Sequence, residues 1–510
     1  MKKLLFNTAV ALGLALMAVA PNAAQAQSDD TFSIATPIEP DTLDALKTRL
    51  PPLVLGTMTN INEPLIAADA NGDPVPGMAD WTILEDGKVI EFKIKPGVKF
   101  HNGDPLTAED IKFSQERQSE LNKFYARQMA SFDHIEIVDD QTIRFVFKEP
   151  TPGFLRQRSL LIASKKHFDE AGEEGFTQNP IGTGPYKFAG YKFGEYIDLE
   201  AFDEYWGGAP EIKKARIEFI KDDQTRVAKL RSGEADLIMH APMESVKPLE
   251  GDGYNISGVP VHPTLAVYFH TLNPKAPWSD IRVRQAISKA IDGNAIVDGL
   301  LGGVPNRFPA LGPEEIGYDP DLKLPEFDPA TAKQLLADAG YPDGFTMPMY
   351  YMSGGYSGIK ETAEAIALFL KPIGIDVELQ GLDQLKSVEM LRELHNNPDA
   401  MMVGLHPLTI ASTPEAAYSI GLSFATTSPF SLHNQEGVTE PIVKGRVTMD
   451  DEERGELIRE GIRALYENVI YIPMWSSVSV FAMQPEVSYQ GIPRTSGGAW
   501  LRINDIEVDQ

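Results

Sequence analysis

Short stretches of alternating hydrophobic and polar residues are separated by turn dipeptides along this chain, and they are interleaved with segments of helical period. Val89–Ile94 alternates as a strand with one wet face. Thr107 then begins a helix in which Asp110 can complete a capping box. An apolar stripe at helical spacing runs through residues 281–292, and strand–helix–strand units follow over residues 328–379. The pattern predicts an α/β chain.

Length and composition divide the chain and suggest where it works. With 510 residues it is too long for one core, so two or three domains are expected. Residues 1–3 are basic, residues 4–20 are apolar, and Ala24-Gln25-Ala26 is an A-x-A-like cleavage site. We therefore predict a cleavable signal peptide over residues 1–26. No cysteine is present, which excludes disulfides, thiolate chemistry and a lipidated N-terminal cysteine. The expected location is the periplasm, without a lipid anchor.

Charge and motifs bear on the class of function. The formal net charge is −27, so the chain should repel nucleic acid and anionic lipid headgroups. We find no Gly-x-Ser-x-Gly, His-Glu-x-x-His or Walker A pattern, and the nine histidines show no metal-ligand spacing. We expect no enzyme, no metal site and no cofactor. A fold can assemble a triad from distant residues, so a periplasmic hydrolase remains a remote alternative.

Three long runs give a more specific indication. They are residues 94–114, which include Lys-Pro-Gly-Val-Lys-Phe-His-Asn-Gly, residues 179–188, which include Gly-Thr-Gly-Pro-Tyr, and residues 281–292. With the shorter run 39–44, they resemble the periplasmic solute-binding proteins of peptide/nickel ABC importers, the extracellular solute-binding protein family 5. The resemblance implies an α/β, two-lobed periplasmic-binding-protein (Venus-flytrap) fold with an extra subdomain in the first lobe. We interpret Gly182 and Gly184 as a tight crossing between the lobes.

The resemblance also implies where the lobes begin and end. We expect the core of the first lobe to comprise residues 27–57, 180–272 and 474–510. Residues 58–179 would form its extra subdomain, and residues 273–473 the second lobe. The chain is expected to cross between the lobes near residues 272–276 and again near residues 473–477.

The function implied by the resemblance is the binding of a small solute, first of all a di- or oligopeptide-like compound, between two hinged lobes. The protein would deliver this solute to the permease subunits of an ABC importer and would act as a monomer without nucleic-acid partners. Alternatives within the family are an oligosaccharide, an opine, a nickel chelate or a haem-like ligand. A periplasmic chaperone is a remote alternative from another class.

Nine residues are predicted to contact the ligand. Glu39 lies on the loop that follows the first strand, which forms the mouth of the cleft in relatives. Arg156 and Arg158 could meet a ligand carboxylate through forked hydrogen bonds. The others are His406, where the family's recognition motif begins, and Tyr125, Tyr351, Ser353, Tyr356 and Trp475.

One departure from the family bears on the ligand. Many peptide-binding relatives carry an aspartate after a strand of the second lobe, and this aspartate pairs with the α-ammonium of the peptide. The matching region here, residues 399–409, has no carboxylate where that motif needs it. A peptide amine would have to find another acid, such as Glu39, Asp41 or Glu415.

Overall fold

The computed structural model describes residues 31–48, 56–69, 73–156, 160–313, 315–353, 358–408, 416–490, 492–495 and 498–509. The predicted signal peptide lies outside these ranges. So do the predicted site residues Arg158 and Tyr356, and the candidate acid Glu415.

Strands and helices alternate along the described chain, which confirms the predicted α/β class. The strands are β1 (Thr31–Thr36), β2 (Ile66–Ala68), β3 (Pro74–Pro76), β4 (Ala79–Leu84), β5 (Val89–Ile94), β6 (Phe132–Asp139), β7 (Thr142–Phe147), β8 (Tyr186–Lys192), β9 (Tyr196–Ala201), β10 (Lys214–Phe219), β11 (Leu237–Met239), β12 (Asn255–Phe269), β13 (Phe345–Met352), β14 (Ile375–Leu382), β15 (Val403–Leu408), β16 (Tyr471–Met483), β17 (Val487–Ser488), β18 (Ile492–Thr495), β19 (Gly498–Trp500) and β20 (Glu507–Val508). The helices are α1 (Ala108–Leu121), α2 (Lys123–Gln128), α3 (Lys165–Gln178), α4 (Asp223–Ser232), α5 (Met243–Gly251), α6 (Ile281–Ala290), α7 (Gly293–Leu300), α8 (Pro329–Asp338), α9 (Ile359–Leu370), α10 (Gln384–Asn396), α11 (Ala416–Phe424), α12 (Thr439–Gly445) and α13 (Asp451–Glu467). No helix in the described ranges is long and apolar enough to cross a membrane.

One ten-stranded sheet runs through both lobes. Its order is β14-β13-β15-β12-β16-β11-β1-β10-β9-β8. The long strands β12 and β16 lie at its centre and pair antiparallel with each other. The three strands on one side of this pair belong to the second lobe, and the five strands on the other side belong to the first. The predicted two-lobed fold is confirmed.

The two central strands contribute to both cores. Leu265 of β12 and Trp475 of β16 pack in the core of the second lobe. Ile256 of β12 and Val480 of β16 pack in the first lobe. Between Trp475 and Val480, β16 therefore passes from one core to the other, next to the predicted crossing at residues 473–477.

The change of core in β12 lies upstream of the predicted crossing at residues 272–276, because it falls between Ile256 and Leu265. Asn273 instead follows the end of β12 inside the second lobe, where its Nδ2 donates to the Asp399 carbonyl at 2.8 Å. The Asn-Pro dipeptide thus ends a strand and does not mark the passage between lobes.

A smaller antiparallel sheet of order β4-β5-β7-β6 forms a subdomain within the predicted range 58–179. Its core holds Phe92, Phe145 and Phe154 in edge or tilted ring contacts at 5.4–6.2 Å. α1 follows with the predicted capping box, in which the Thr107 N–H donates to Asp110 Oδ2 at 3.0 Å. The hydrophobic period and the cap are both local signals, so the sequence was sufficient to predict them.

Gly182 and Gly184 allow two backbones to approach closely. The Gly184 N–H donates to the Ile61 carbonyl at 2.9 Å. A Cβ on Gly182 would lie 1.9 Å from that same oxygen. The tight approach was predicted correctly, but it lies within the first lobe, where Ile61 and the following Tyr186 share one core. The prediction that it joins the two lobes is wrong. Glycines in a sequence indicate that another backbone approaches, but they do not show which segment of the chain it belongs to.

Candidate functional site

The carboxyl ends of strands from both lobes point to the place where β12 and β16 pass between them. In the second lobe, β15 runs antiparallel to β12, and its last residue, Leu408, pairs with Thr264. β13 runs parallel to both β15 and β14. In the first lobe, β11 runs antiparallel to β16 and parallel to β1. Open α/β sheets bind ligands outside the carboxyl ends of their strands, so the candidate site lies where these two sets of ends face each other.

On the first-lobe side there is a pocket of about 800 Å³ at the carboxyl ends of β1 and β10. The predicted residue Glu39 lies in it. Glu39 Oε1 accepts hydrogen bonds from the Tyr191 hydroxyl at 2.6 Å and from the Gly194 N–H at 2.7 Å. Burial and the bonded carboxylate raise the pKa of Tyr191, so its hydroxyl stays protonated and donates. These two bonds fix the carboxylate at the pocket wall.

A buried ion pair with α1 holds the loop that carries Glu39 in place. The side chain of Asp44 is fully buried, and Arg117 Nη2 donates to its Oδ2 at 2.6 Å. The Arg117 guanidinium also lies 4.5 Å from the centre of the Phe168 ring. α1 and α3 thereby hold the loop in place, which links the position of Glu39 to the packing of the subdomain.

A second anchor at the same edge is Arg226 of α4, whose side chain is 1% exposed. Its guanidinium donates to the carbonyls of Ile220 and Lys221 after β10 and to the carbonyl of His240 after β11. His240 has a φ of 52°, an uncommon conformation for a residue other than glycine. Burial and the nearby charge of Arg226 lower the pKa of His240 to about 4.

On the second-lobe side, His406 lies between two tyrosines. Its ring centroid is 6.0 Å from that of Tyr350, nearly parallel to it, and 5.9 Å from that of Tyr268. His406 is 8% exposed, and its Nδ1 lies 3.1 Å from the Pro407 carbonyl. Burial lowers the pKa of His406 to about 4, so the imidazole is neutral at pH 7. We call Thr264, Tyr268, Tyr350 and His406 the histidine cluster.

Sequence reasoning missed Tyr191, Arg226, Tyr268 and Tyr350. Tyr350 and Tyr351 are adjacent on β13, and alternation along a strand places them on opposite faces. Tyr351 was predicted to face the ligand, but it is Tyr350 that meets His406. The hydroxyl of Tyr351 lies beside Gly381 of β14. The tyrosine pair was a usable signal, but no pattern in the sequence shows which face of β13 is covered by which helices.

The other predicted residues lie in three places. Ser353 follows β13 at the carboxyl edge, is exposed, and donates from its N–H to Leu382. Trp475 is 1% exposed, and its Nε1 donates to Thr362 Oγ1 at 3.1 Å in the core of the second lobe. Tyr125 and Arg156 belong to the subdomain, where the Tyr125 hydroxyl donates to Gln115 and Arg156 pairs with Asp73 at 2.6 Å. The structure thus brings His406 and Ser353 to the second-lobe edge and Glu39 to the first-lobe edge. Their roles in binding stay predictions.

Metal binding has no prepared site in the described ranges. There, no group of three or more His, Cys, Asp or Glu side chains is placed to hold a metal ion. The side chains that line the candidate site instead offer one fixed carboxylate, a neutral imidazole, hydroxyls and aromatic rings. Such groups recognise a solute through hydrogen bonds and apolar contact.

Comparison with known proteins identifies the family. The model described as Bacterial extracellular solute-binding proteins, family 5 Middle, matches residues 73–425. The chain belongs to this family. All three sequence runs lie within the matched range, so the prediction made from them is confirmed.

Relatives of this family-5 protein have varied ligands in their names. The glutathione-binding protein of Pectobacterium atrosepticum is 29% identical over 359 residues, which cover 68% of each chain. The dipeptide-binding protein of Escherichia coli is 30% identical over 308 residues, covering 54% of this chain and 57% of the relative. The solved structure of NikA from Brucella suis in complex with Fe(III)-EDTA has a TM-score of 0.80 at 22% identity, covering 94% of this chain and all of that one. This last likeness supports the fold alone.

Proposed function

We propose that this protein is the periplasmic substrate-binding component of an ABC importer. It binds a small solute between its lobes and delivers it to permease subunits in the inner membrane. The observation that carries the proposal is the opposition of two sets of strand ends across the strands β12 and β16, which connect the lobes in the described part of the chain. A cleft of this kind buries most of a small ligand, and a narrow connection permits hinge closure.

The proposed solute is a di- or oligopeptide-like compound. Glutathione and dipeptides are the ligands named for two relatives of similar sequence. Glu39 offers the first-lobe pocket a carboxylate that Tyr191 and Gly194 hold in place. A peptide ammonium bound there would pair with Glu39 instead of with the aspartate that many relatives carry after the strand equivalent to β15.

An oligosaccharide, an opine, a nickel chelate or a haem-like compound is the second candidate. The observation that favours it is the composition of β15 (Val403–Leu408), which carries no carboxylate. His406 and the two tyrosines beside it, all buried, supply neutral polar and aromatic groups next to that strand instead. Aromatic side chains contribute large apolar contact area, which suits sugar-like and planar ligands.

The protein releases its solute unchanged. Within the described residues, no hydroxyl is hydrogen-bonded to His406, so the histidine cluster lacks the nucleophile–base contact that covalent catalysis uses. The signal peptide predicted over residues 1–26 and the lack of cysteine in the sequence support a free periplasmic protein. We propose that it acts as a monomer.

Isothermal titration against di- to hexapeptides, nickel–histidine, oligosaccharides and opines tests the proposal. Saturating binding of one class at one site per chain is expected, with the probe recovered intact. Small-angle scattering of the same mixture should show a smaller radius of gyration, with a probe that does not bind as the control. Conversion of a probe would contradict the proposal. Binding of unfolded proteins without closure on any small probe would favour a chaperone.

A further inference from the structure

The first-lobe pocket has an apolar wall that is part of the packed first lobe. Ile38, Leu43 and Phe188 line it. Leu43 is 8% exposed and belongs to the core of the lobe, and Ile38 and Phe188 pack against that core. The wall is therefore in place before a ligand arrives. With a volume of about 800 Å³, the pocket is in the size range of sites that bury small molecules.

A large apolar side chain stands at the open side of this pocket. Phe193 lines it, although 82% of the side chain is exposed. The turn that carries Phe193 is held on both sides, because the Gly194 N–H donates to Glu39 at 2.7 Å and the Phe219 N–H donates to the Glu195 carbonyl at 2.8 Å. Single exposed apolar residues are common on protein surfaces. One that is fixed beside a pocket offers contact area to an apolar group of a ligand.

Two residues of opposite charge, Glu39 and Lys221, also line the pocket. They follow neighbouring strands, since Thr36 at the end of β1 pairs with Phe219 at the end of β10. The backbone at Lys221 is fixed by Arg226, whose Nη1 donates to its carbonyl at 3.1 Å. Neither Glu39 nor Lys221 forms an ion pair with another side chain in the part of the chain that the structure describes. Both charges can therefore pair with a ligand.

The charges of the lining favour a ligand that carries both signs. Asp41 is the third charged residue of the pocket, and it accepts from the Thr48 hydroxyl at 2.6 Å within its own loop. A solute with a single charge would be attracted by one of Glu39 and Lys221 and repelled by the other. A zwitterion can place its ammonium at Glu39 and its carboxylate at Lys221, and such charge-assisted hydrogen bonds are stronger than neutral ones.

We infer that the first-lobe pocket binds a zwitterion with an apolar side chain, such as a short peptide whose two ends are both free. Glu39 binds the ammonium and Lys221 binds the carboxylate. The side chain lies on the apolar wall and against Phe193. This inference rests on the proposed function and adds to it a residue for the carboxylate and a requirement for an apolar side chain.

Three probes that differ only at their ends test the two charge contacts. They are Ala–Phe, N-acetyl-Ala–Phe, which lacks the ammonium, and Ala–Phe amide, which lacks the carboxylate. In isothermal titration the wild type should bind Ala–Phe about tenfold more tightly than either capped probe. Lys221→Gln should lose only the preference over the amide. Glu39→Gln should lose only the preference over the acetylated probe, because its amide oxygen can still accept from Tyr191 and Gly194.

Lys247→Gln is the control for the charge variants, since Lys247 is exposed on α5 and does not line the pocket, so both preferences should persist. Equal affinities of the three probes for the wild type would overturn the inference, and so would a failure of all three to bind. Binding of an oligosaccharide or a nickel chelate would then leave the proposed function standing. The expected preferences without any change in the radius of gyration would support the inference and contradict the proposed function.

A matched pair of exposed apolar residues tests the contact with the side chain. Phe193→Ser should leave the melting temperature without ligand unchanged and weaken the binding of Ala–Phe roughly three- to tenfold. Leu368→Ser is the control, because Leu368 is 72% exposed on α9 of the second lobe. Its affinity for Ala–Phe should equal that of the wild type. Unaltered binding by Phe193→Ser, or an equal loss in both variants, would overturn the apolar part of the inference.

Discussion

Arg226 Nη2 donates to the carbonyl oxygen of His240 at 2.8 Å, so that one buried guanidinium joins the carboxyl ends of two strands in the first lobe. The same guanidinium holds the carbonyls of Ile220 and Lys221 through Nη1. These bonds fix the backbone that follows β10 and β11, at the edge of the sheet where the Glu39 loop lies. Arg226 is therefore a positioning residue of the candidate site.

Replacing this guanidinium should affect both stability and binding. Arg226→Lys keeps the charge but cannot reach three carbonyls at once, so we expect the free energy of unfolding to fall by roughly 2–4 kcal/mol. Ligand affinity should fall as well. Arg231→Lys on the same helix is the control, because Arg231 is half-exposed and pairs with Asp252 at the surface. Its change should stay below about 1 kcal/mol. Equal losses in denaturant unfolding of the two variants would contradict the anchoring role.

Gly182 should tolerate no side chain. A Cβ there would lie 1.9 Å from the Ile61 carbonyl oxygen and 2.7 Å from its carbon, both backbone atoms that cannot move aside. We expect Gly182→Ala to destabilise by about 3 kcal/mol or more, measured by thermal or urea unfolding. Gly190→Ala in β8 serves as the comparison, since the closest atom to its Cβ would be 3.9 Å away. A wild-type melting curve for Gly182→Ala would refute the close approach.

Glu63 should make stability depend on pH near neutrality. Its carboxylate accepts from the Tyr205 hydroxyl at 2.8 Å and from Trp206 Nε1 at 2.5 Å, while burial raises its pKa from 4.5 to about 7. The folded state therefore holds this proton more tightly than the unfolded state. The resulting contribution is fully present below about pH 4.5 and is lost as pH rises to about 7.

The variant Glu63→Gln removes this titration. Melting temperatures of Glu63→Gln and the wild type are compared at about pH 5 and about pH 8. Between these values the melting temperature of the variant should rise relative to that of the wild type. Glu116→Gln at an exposed position of α1 provides the reference, and its difference should stay flat. If the Glu63→Gln difference is also flat, the carboxylate is ionised in the folded protein throughout this range.

Substitutions of His406 and Trp475 should have different effects: the first should mainly weaken ligand binding, and the second should mainly lower stability. Trp475 is 1% exposed and bonded to Thr362, so Trp475→Ala should lower the free energy of unfolding by about 3–5 kcal/mol. His406→Ala removes a ring whose Nε2 has no described partner, so it should cost less stability and weaken ligand binding by roughly 1–3 kcal/mol. The measurements are melting without ligand and titration with any solute that the wild type binds. Unaltered affinity of His406→Ala would move the site away from the histidine cluster.

The sequence predicts the local parts of this fold well. The alternation in Val89–Ile94 and the cap at Thr107 depend on neighbouring residues, and both appear in the structure. The two-lobed architecture and the Glu39 loop came from the resemblance of whole runs to a family. Those runs preserve scaffold contacts, so they identify the fold more surely than the ligand.

The missed residues share a physical cause. Tyr191 reaches Glu39 across 152 positions of sequence, and Tyr268 meets His406 only because β12 and β15 pair in one register. No local pattern encodes such partners. Arg226 reads as an ordinary surface arginine of a polar helix, and its burial depends on where β10 and β11 end. Side chains at a cleft are placed by distant segments, so single-sequence reasoning locates the loop but not its neighbours.

The central position of β16 has a consequence for the order in which the chain can fold. β11 of the first lobe pairs on one side with β1, near the N-terminus, and on the other side with β16, which ends at Met483. The first lobe therefore lacks a central strand until β16 has been synthesised, more than 400 residues after β1. Pairing over such a separation is slow, because the entropy of closing the loop must be overcome before the contacts form. The first lobe should accordingly be the last part of the molecule to mature.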